Sequence, residues 1–178
     1  MIFVVSIRSL TKLWWCLSVG LGLLTASCHD GLSPVVSRAA DVDAMPVDQR
    51  GIRCINCNDE VLNAVGHRFK NLDFLYINTQ SMITDRGIAA LARLPRLRQL
   101  EVTNASMLTD SSIPMLKQLS SSRELSLDGA TKVSDKALIS LTTNSKIDRL
   151  FLLNFPRISS DTVQKMREQL PECNIRIE

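Results

Sequence analysis

The most constraining feature of this sequence is a 25-residue period that runs from about residue 72 to the C-terminus. Five columns of apolar residues recur at this spacing, although only 45% of the whole chain is hydrophobic. The columns are Leu75, Leu100, Leu125 and Leu150; Ile77, Val102, Leu127 and Leu152; Ile83, Leu108, Val133 and Ile158; Ile88, Ile113, Leu138 and Val163; and Leu91, Leu116, Leu141 and Met166. A strict period of this length predicts stacked structural repeats.

Each repeat changes its hydrophobic period internally. Leu125 and Leu127 alternate as in a strand with one buried face, whereas Leu138 and Leu141 are spaced as on one face of a helix. A strand and a helix of this size cannot bury their apolar faces alone, so the units must stack. The pattern therefore predicts an α/β solenoid with a parallel sheet of about six strands and with helices on its convex side.

A hydroxyl residue followed by aspartate recurs between the strand and the helix. The pairs are Thr84-Asp85, Thr109-Asp110, Ser134-Asp135 and, one residue late, Ser160-Asp161. A hydroxyl or carboxylate at this place can accept hydrogen bonds from the free N–H groups of the first helical turn. We therefore interpret the aspartate column as helix capping, and not as a row of catalytic or metal-binding carboxylates.

The repeat resembles the cysteine-containing leucine-rich repeat that is also found beside F-box segments. The second unit carries Leu72, Leu75 and Ile77, followed by the motif from Ile83 to Leu91 with Thr84-Asp85-Arg86-Gly87 inside it. This sequence departs from the family pattern at Ser122, which replaces a leucine, and at the cysteine position, which holds Gln80, Ala105, Ala130 and Phe155. The resemblance implies a right-handed αβ horseshoe fragment that acts as a binding module, as in exported bacterial proteins with this unit.

The periodic columns also indicate the domain boundaries. Residues 51–71 form a shortened first unit, in which Ile52, Cys54 and Cys57 align with the strand columns. Four 25-residue units cover 72–171, and Ile175 and Ile177 predict a terminal strand within 173–178. Residues 28–50 show no period and contain two prolines, so we expect a flexible tether there.

The N-terminus has the pattern of an export signal. Arg8 and Lys12 precede an uncharged run over 13–27, which is shorter than the ~20 apolar residues of a membrane-spanning helix. We therefore predict a signal peptide over 1–27. Residues 24–28 resemble a bacterial lipobox, with Leu24 displaced by one position, so Cys28 is a candidate for lipidation and membrane anchoring in the cell envelope. Ordinary cleavage after Ser27, giving a soluble periplasmic or secreted protein, and an uncleaved anchor are the alternatives.

Cys54 and Cys57 form a C-x-x-C motif, which can signal zinc or redox chemistry. Zinc needs four ligands, and the terminal Cys173 would lie five strand spacings away, or about 24 Å. We therefore interpret the pair as structural cysteines, with an internal disulfide or a redox or metal role as alternatives. The repeats contain no recognisable nucleophile–base pair and no phosphate-binding loop, so we predict no catalytic residue, no cofactor and no metal.

Residues that flank the buried strand positions should point to the concave face of the solenoid. The predicted binding residues there are Phe74, Tyr76, Gln99, Glu101, Glu124, Asp128, Arg149 and Phe151. Three of the five aromatics beyond residue 27 fall on this face, and exposed aromatics are typical anchors for protein contacts. The three acidic residues would favour a basic partner segment.

These observations together predict an exported, non-catalytic protein-binding module. The alternatives are a structural envelope protein that associates with itself through its solenoid edges, and a redox or metal protein that uses the cysteine pair. When Arg8 and Lys12 are set aside, 19 basic residues face 18 acidic ones, so the charge gives no reason to expect nucleic-acid binding.

Overall fold

A computed structural model describes residues 33–78, 83–119, 121–143, 146–155 and 157–178. In chain order these residues form β1 (Val35–Val36), α1 (Ala39–Ala44), β2 (Gly51–Ile55), α2 (Asp59–Arg68), β3 (Phe74–Asn78), α3 (Asp85–Leu91), β4 (Gln99–Val102), α4 (Ser112–Lys117), β5 (Glu124–Asp128), α5 (Asp135–Thr142), β6 (Arg149–Leu153), α6 (Ser160–Gln169) and β7 (Asn174–Ile177). They belong to one compact unit, Pro34–Glu178. The predicted signal peptide, Cys28 and Gln80 lie outside the described residues.

The strands form one parallel sheet in chain order, β1 to β7. The register reproduces the sequence period, because Leu75 lies opposite Leu100, Leu100 opposite Leu125, and Leu125 opposite Leu150. These leucines are buried, as are the helix-face residues of the same repeats except Val163, which is partly exposed. The predicted α/β solenoid is confirmed, and the sheet has one strand more than the six expected.

The additional strand comes from the segment that we expected to be a flexible tether. Within 28–50, β1 pairs with β2 through Val35 and Val36, and α1 follows it. Val36 and Val42 are fully buried and belong to the hydrophobic core. The tether prediction is therefore wrong for this part of the segment, since two buried valines cover the open side of the first repeat. A two-residue strand and a six-residue helix are too short to show a period in the sequence.

Four repeats bend sharply just after their strands. Asn56, Asn104 and Asn154 have φ values of 55°, 51° and 56°, and Gly129 has a φ of 71° at the equivalent place. Asparagine and glycine are the residues that adopt this left-handed conformation most readily. The bend turns the chain out of the sheet and towards the helix.

The aspartate column links neighbouring repeats. The helix caps are Asn58, Thr84, Ser134 and Ser159, whose side chains accept hydrogen bonds from the first turns of α2, α3, α5 and α6. Asp85 instead accepts hydrogen bonds from the backbone N–H and the hydroxyl of Thr109 in the next repeat, at 2.9 and 2.6 Å. Asp59, Asp110 and Asp135 bind the following repeat in the same way. The predicted capping role of the aspartates is therefore wrong. We call Asp59, Asp85, Asp110 and Asp135 the aspartate ladder.

Candidate functional site

No helix among the described residues covers one face of the sheet, and we call it the open sheet face. It consists of the strand residues that alternate with the buried leucine columns. The central row contains Arg53, Tyr76, Glu101, Ser126, Phe151 and Arg176, each opposite the next. A second row contains Phe74, Gln99, Glu124 and Arg149, and Asp128 lies at the end of β5. The structure thus brings all eight predicted binding residues together on one face.

The aromatic residues separate clearly between this face and the core. Phe74, Tyr76 and Phe151 are partly exposed on the open sheet face, whereas Phe69 and Phe155 are buried. Tyr76 and Phe151 are three strand spacings apart in the same row, or about 14 Å. Glu101 and the small Ser126 therefore lie between the two rings.

Arg53 is a site residue that the sequence analysis missed. Its guanidinium carbon lies 5.7 Å from the centre of the Tyr76 ring, which is a cation–π distance. Arg176 occupies the equivalent place beside Phe151 at the other end of the row. The repeat alignment carried this signal, because Arg53 precedes the buried Cys54 just as Tyr76 precedes Ile77.

Two of the three acidic residues on this face are already paired. Glu124 is only 8% exposed, and it accepts a hydrogen bond of 3.0 Å from Gln99. Its other carboxylate oxygen lies 2.5 Å from the guanidinium of Arg149. Asp128 accepts a hydrogen bond of 2.6 Å from the side chain of Asn154. These contacts hold the surface in one arrangement and leave little of the Glu124 charge free for a partner.

Glu101 differs from its neighbours because its side chain makes no hydrogen bond or ion pair with any described residue. Burial, and next the negative charges of Glu124 and Asp128, raise the pKa of Glu101 above its usual range. Burial and the charge of Glu101 in turn raise the pKa of Tyr76, although Arg53 opposes this shift. A cation placed between the two aromatic rings would therefore be attracted to a carboxylate that lacks a partner.

The C-x-x-C pair contains a disulfide between Cys54 and Cys57, which was one of the alternatives that the sequence left open. Both cysteines are fully buried, and the sulfur of Cys57 lies 3.4 Å from the carbonyl oxygen of Val36 in β1. Cys173 is a free thiol, and burial and the charge of Asp148 raise its pKa. The described residues contain no group of three or more His, Cys, Asp or Glu side chains that could hold a metal ion.

Comparison with known proteins identifies the fold. No protein-family model matches the chain, and no curated protein has a matching sequence. The tropomodulin C-terminal domain of Caenorhabditis elegans is a solved structure that matches with a TM-score of 0.56 and 17% sequence identity. The match covers 75% of this chain and 89% of that domain.

The fold is a leucine-rich-repeat-like solenoid. The identity to the solved domain is too low to carry over any activity or partner, so the likeness concerns architecture alone. A leucine-rich-repeat-like fold is compatible with a protein-binding module. None of the helices within the described ranges is long and apolar enough to cross a membrane.

Proposed function

We propose that this protein is a non-catalytic binding module whose open sheet face receives a basic segment of another protein. The observation that carries the proposal is the carboxylate of Glu101, which pairs with no described residue and lies between the partly exposed rings of Tyr76 and Phe151. A lysine or arginine side chain of the partner would pair with Glu101 and lie against one of the rings.

The surrounding contacts favour a binding role because they make the surface rigid before a partner arrives. The face is one side of a seven-stranded sheet, and the contacts of Glu124 with Gln99 and Arg149 hold these three side chains in place. A surface that is ordered in advance loses little conformational entropy on association, so more of the contact energy appears as affinity.

Site-specific photo-crosslinking in the native host tests where the partner binds. A benzophenone amino acid is placed at Tyr76 on the open sheet face or, as a control, at the exposed Lys165 of α6. We expect a discrete crosslinked product at position 76 and none at position 165, and mass spectrometry of the product identifies the partner. A product that forms only at position 165 would place the binding surface on the helical side.

We also propose that the protein is exported and anchored to the cell-envelope membrane through acylated Cys28, with a soluble periplasmic or secreted form as the alternative. The buried Cys54–Cys57 disulfide supports export, because such bonds persist mainly in oxidising compartments. Intact-mass measurement of protein from the membrane fraction should give an acylated N-terminus at Cys28 and an oxidised cysteine pair. Retention of Met1 would contradict cleavage, and a reduced pair would remove this support for export.

A further inference from the structure

The edge of the sheet at which the strands begin collects positive charge. Eight exposed basic residues lie there, seven in the segments that lead from the end of one helix to the start of the next strand and one, Lys117, at the last position of α4. The seven are Arg50, Lys70, Arg93, Arg96, Arg98, Arg123 and Lys146, and we call all eight the basic edge. The open sheet face and the basic edge are different surfaces, so a role for the basic edge does not depend on partner binding at the open sheet face; it rests on the membrane attachment proposed above.

Most of this charge is not neutralised within the protein. Arg96, Arg98, Lys117 and Lys146 make no side-chain hydrogen bond or ion pair with a described residue. The same segments contain four acidic residues, Asp48, Asp73, Asp148 and Glu172. Asp73 lies 2.5 Å from Arg50, and Asp148 lies 3.5 Å from Arg123. Eight cations against four carboxylates leave the edge with a net positive charge.

The opposite edge carries charges of both signs. The strands end and the helices begin there, and the aspartate ladder runs along it. Helix dipoles favour acids at helix N-termini and cations at C-termini, which accounts for Lys117 in the last turn of α4. Dipoles do not account for Arg96, Arg98 and Lys146, since these residues lie beyond the helix ends. A near-neutral chain thus places its surplus cations on one edge.

The chain enters the fold at the same edge. All seven strands are parallel neighbours, so Val35 starts β1 on the side where the other strands start. Cys28, the proposed attachment point, is seven residues before Val35 in the chain, and the apolar run over 13–27 precedes it. A membrane attached at Cys28 would therefore be joined to the basic edge by only a short stretch of chain.

We propose that the basic edge binds the anionic headgroups of a lipid bilayer. Basic residues next to a membrane attachment add to its strength wherever the lipids are negatively charged. Lipid is favoured over nucleic acid because the edge is joined to an apolar segment, and because its described residues include no exposed aromatic side chain on which a base could stack. The bilayer would then contact one edge of the sheet and leave the open sheet face accessible.

Vesicle binding by the full chain tests this proposal. The quantity measured is the ratio of partition coefficients on vesicles with about one-third phosphatidylglycerol and on vesicles of phosphatidylcholine alone. The N-terminal segment, with Arg8 and Lys12, is the same in every variant, so differences in this ratio between variants report the substituted cations alone. The test variant is Arg96→Glu/Arg98→Glu/Lys146→Glu, and the charge-matched control is Lys132→Glu/Lys136→Glu/Arg157→Glu, whose three exposed residues lie on the opposite edge.

We expect the unmodified chain to prefer anionic vesicles, with a preference that weakens as salt is added. The test variant should lose about tenfold or more of this preference, and the control should stay within about threefold of the unmodified chain. Circular dichroism melting must show that both variants remain folded; if the triple variant unfolds, Lys146→Glu alone takes its place. Equal binding to both vesicle types, equal losses in both variants, or retention on DNA in preference to anionic vesicles would overturn the proposal.

Discussion

Glu101 lies on the sheet with its charge opposed by burial and by two neighbouring carboxylates. Its pKa in the folded protein is raised, so the folded state holds a proton at pH values where the unfolded chain has released it. Ionisation of Glu101 therefore opposes folding as pH rises from the unfolded pKa through the folded one. At neutral pH, ionised Glu101 therefore lowers the stability of the free protein. A partner cation beside the carboxylate would remove this loss of stability, which is what we expect of a residue that serves binding.

Replacing Glu101 by glutamine should stabilise the free protein at neutral pH. We expect a higher melting temperature for Glu101→Gln than for the unmodified chain at about pH 7, and no difference at about pH 3, where the carboxyl is protonated in both states. Thermal melts followed by circular dichroism measure this, with the exposed Glu172→Gln as the matched control. A lower melting temperature for Glu101→Gln at pH 7 would mean that the Glu101 charge stabilises the fold.

Stability at the scale of the repeat depends on the leucine columns and on the aspartate ladder. Leu125 is 2% exposed in β5, whereas Asp135 is an acceptor for the Ser159 N–H at 3.1 Å and the Thr162 hydroxyl at 2.9 Å. Hydrogen bonds from Ser159 and Thr162 also lower the pKa of Asp135. The ladder joins α5 to α6 as the sheet joins β5 to β6.

The aspartate ladder can be separated from ordinary helix-end electrostatics by two substitutions. Asp135→Ala should lower the free energy of unfolding by about 1–2 kcal/mol, because two hydrogen bonds to a charged acceptor are lost at a partly exposed place. Asp161→Ala is the matched control: Asp161 is in the first turn of α6 and bonds to no described residue of a following repeat, so it should cost a few tenths of a kcal/mol.

Chemical denaturation measures both variants, and Leu125→Ala should cost more than either, about 2–5 kcal/mol, because it removes buried surface and leaves a cavity. Equal effects at Asp135 and Asp161 would show that the hydrogen bonds between repeats add nothing.

The sequence predicted those elements that repeat. The strands β2 to β7, their register and the open sheet face follow from columns such as Leu75, Leu100 and Leu125, because burial imposes the same period on every unit. The role of the aspartates could not be predicted, since their partners are about 25 residues away and only stacking brings them together. The pairing of Glu124 with Arg149 could not be predicted for the same reason, because the two residues are 25 positions apart in the chain.

The whole molecule presents surfaces of different chemistry. The open sheet face combines aromatic rings with a carboxylate that pairs with no residue in the described ranges. The edge where the strands begin is basic, and the edge where they end carries the aspartate ladder. We infer that binding to a partner and contact with a membrane use separate sides. Substitutions on the open sheet face should therefore leave vesicle binding unchanged.

The affinity of the crosslinked partner for defined variants tests the central claim most directly. Calorimetric titration should show that Tyr76→Ala/Phe151→Ala weakens binding by about 2 kcal/mol or more, as expected for aromatic anchors at an interface centre. Lys165→Glu on α6 should bind as the unmodified protein does, and circular dichroism confirms that each variant is folded. Binding at the open sheet face is contradicted if the double variant keeps full affinity while Lys165→Glu loses it.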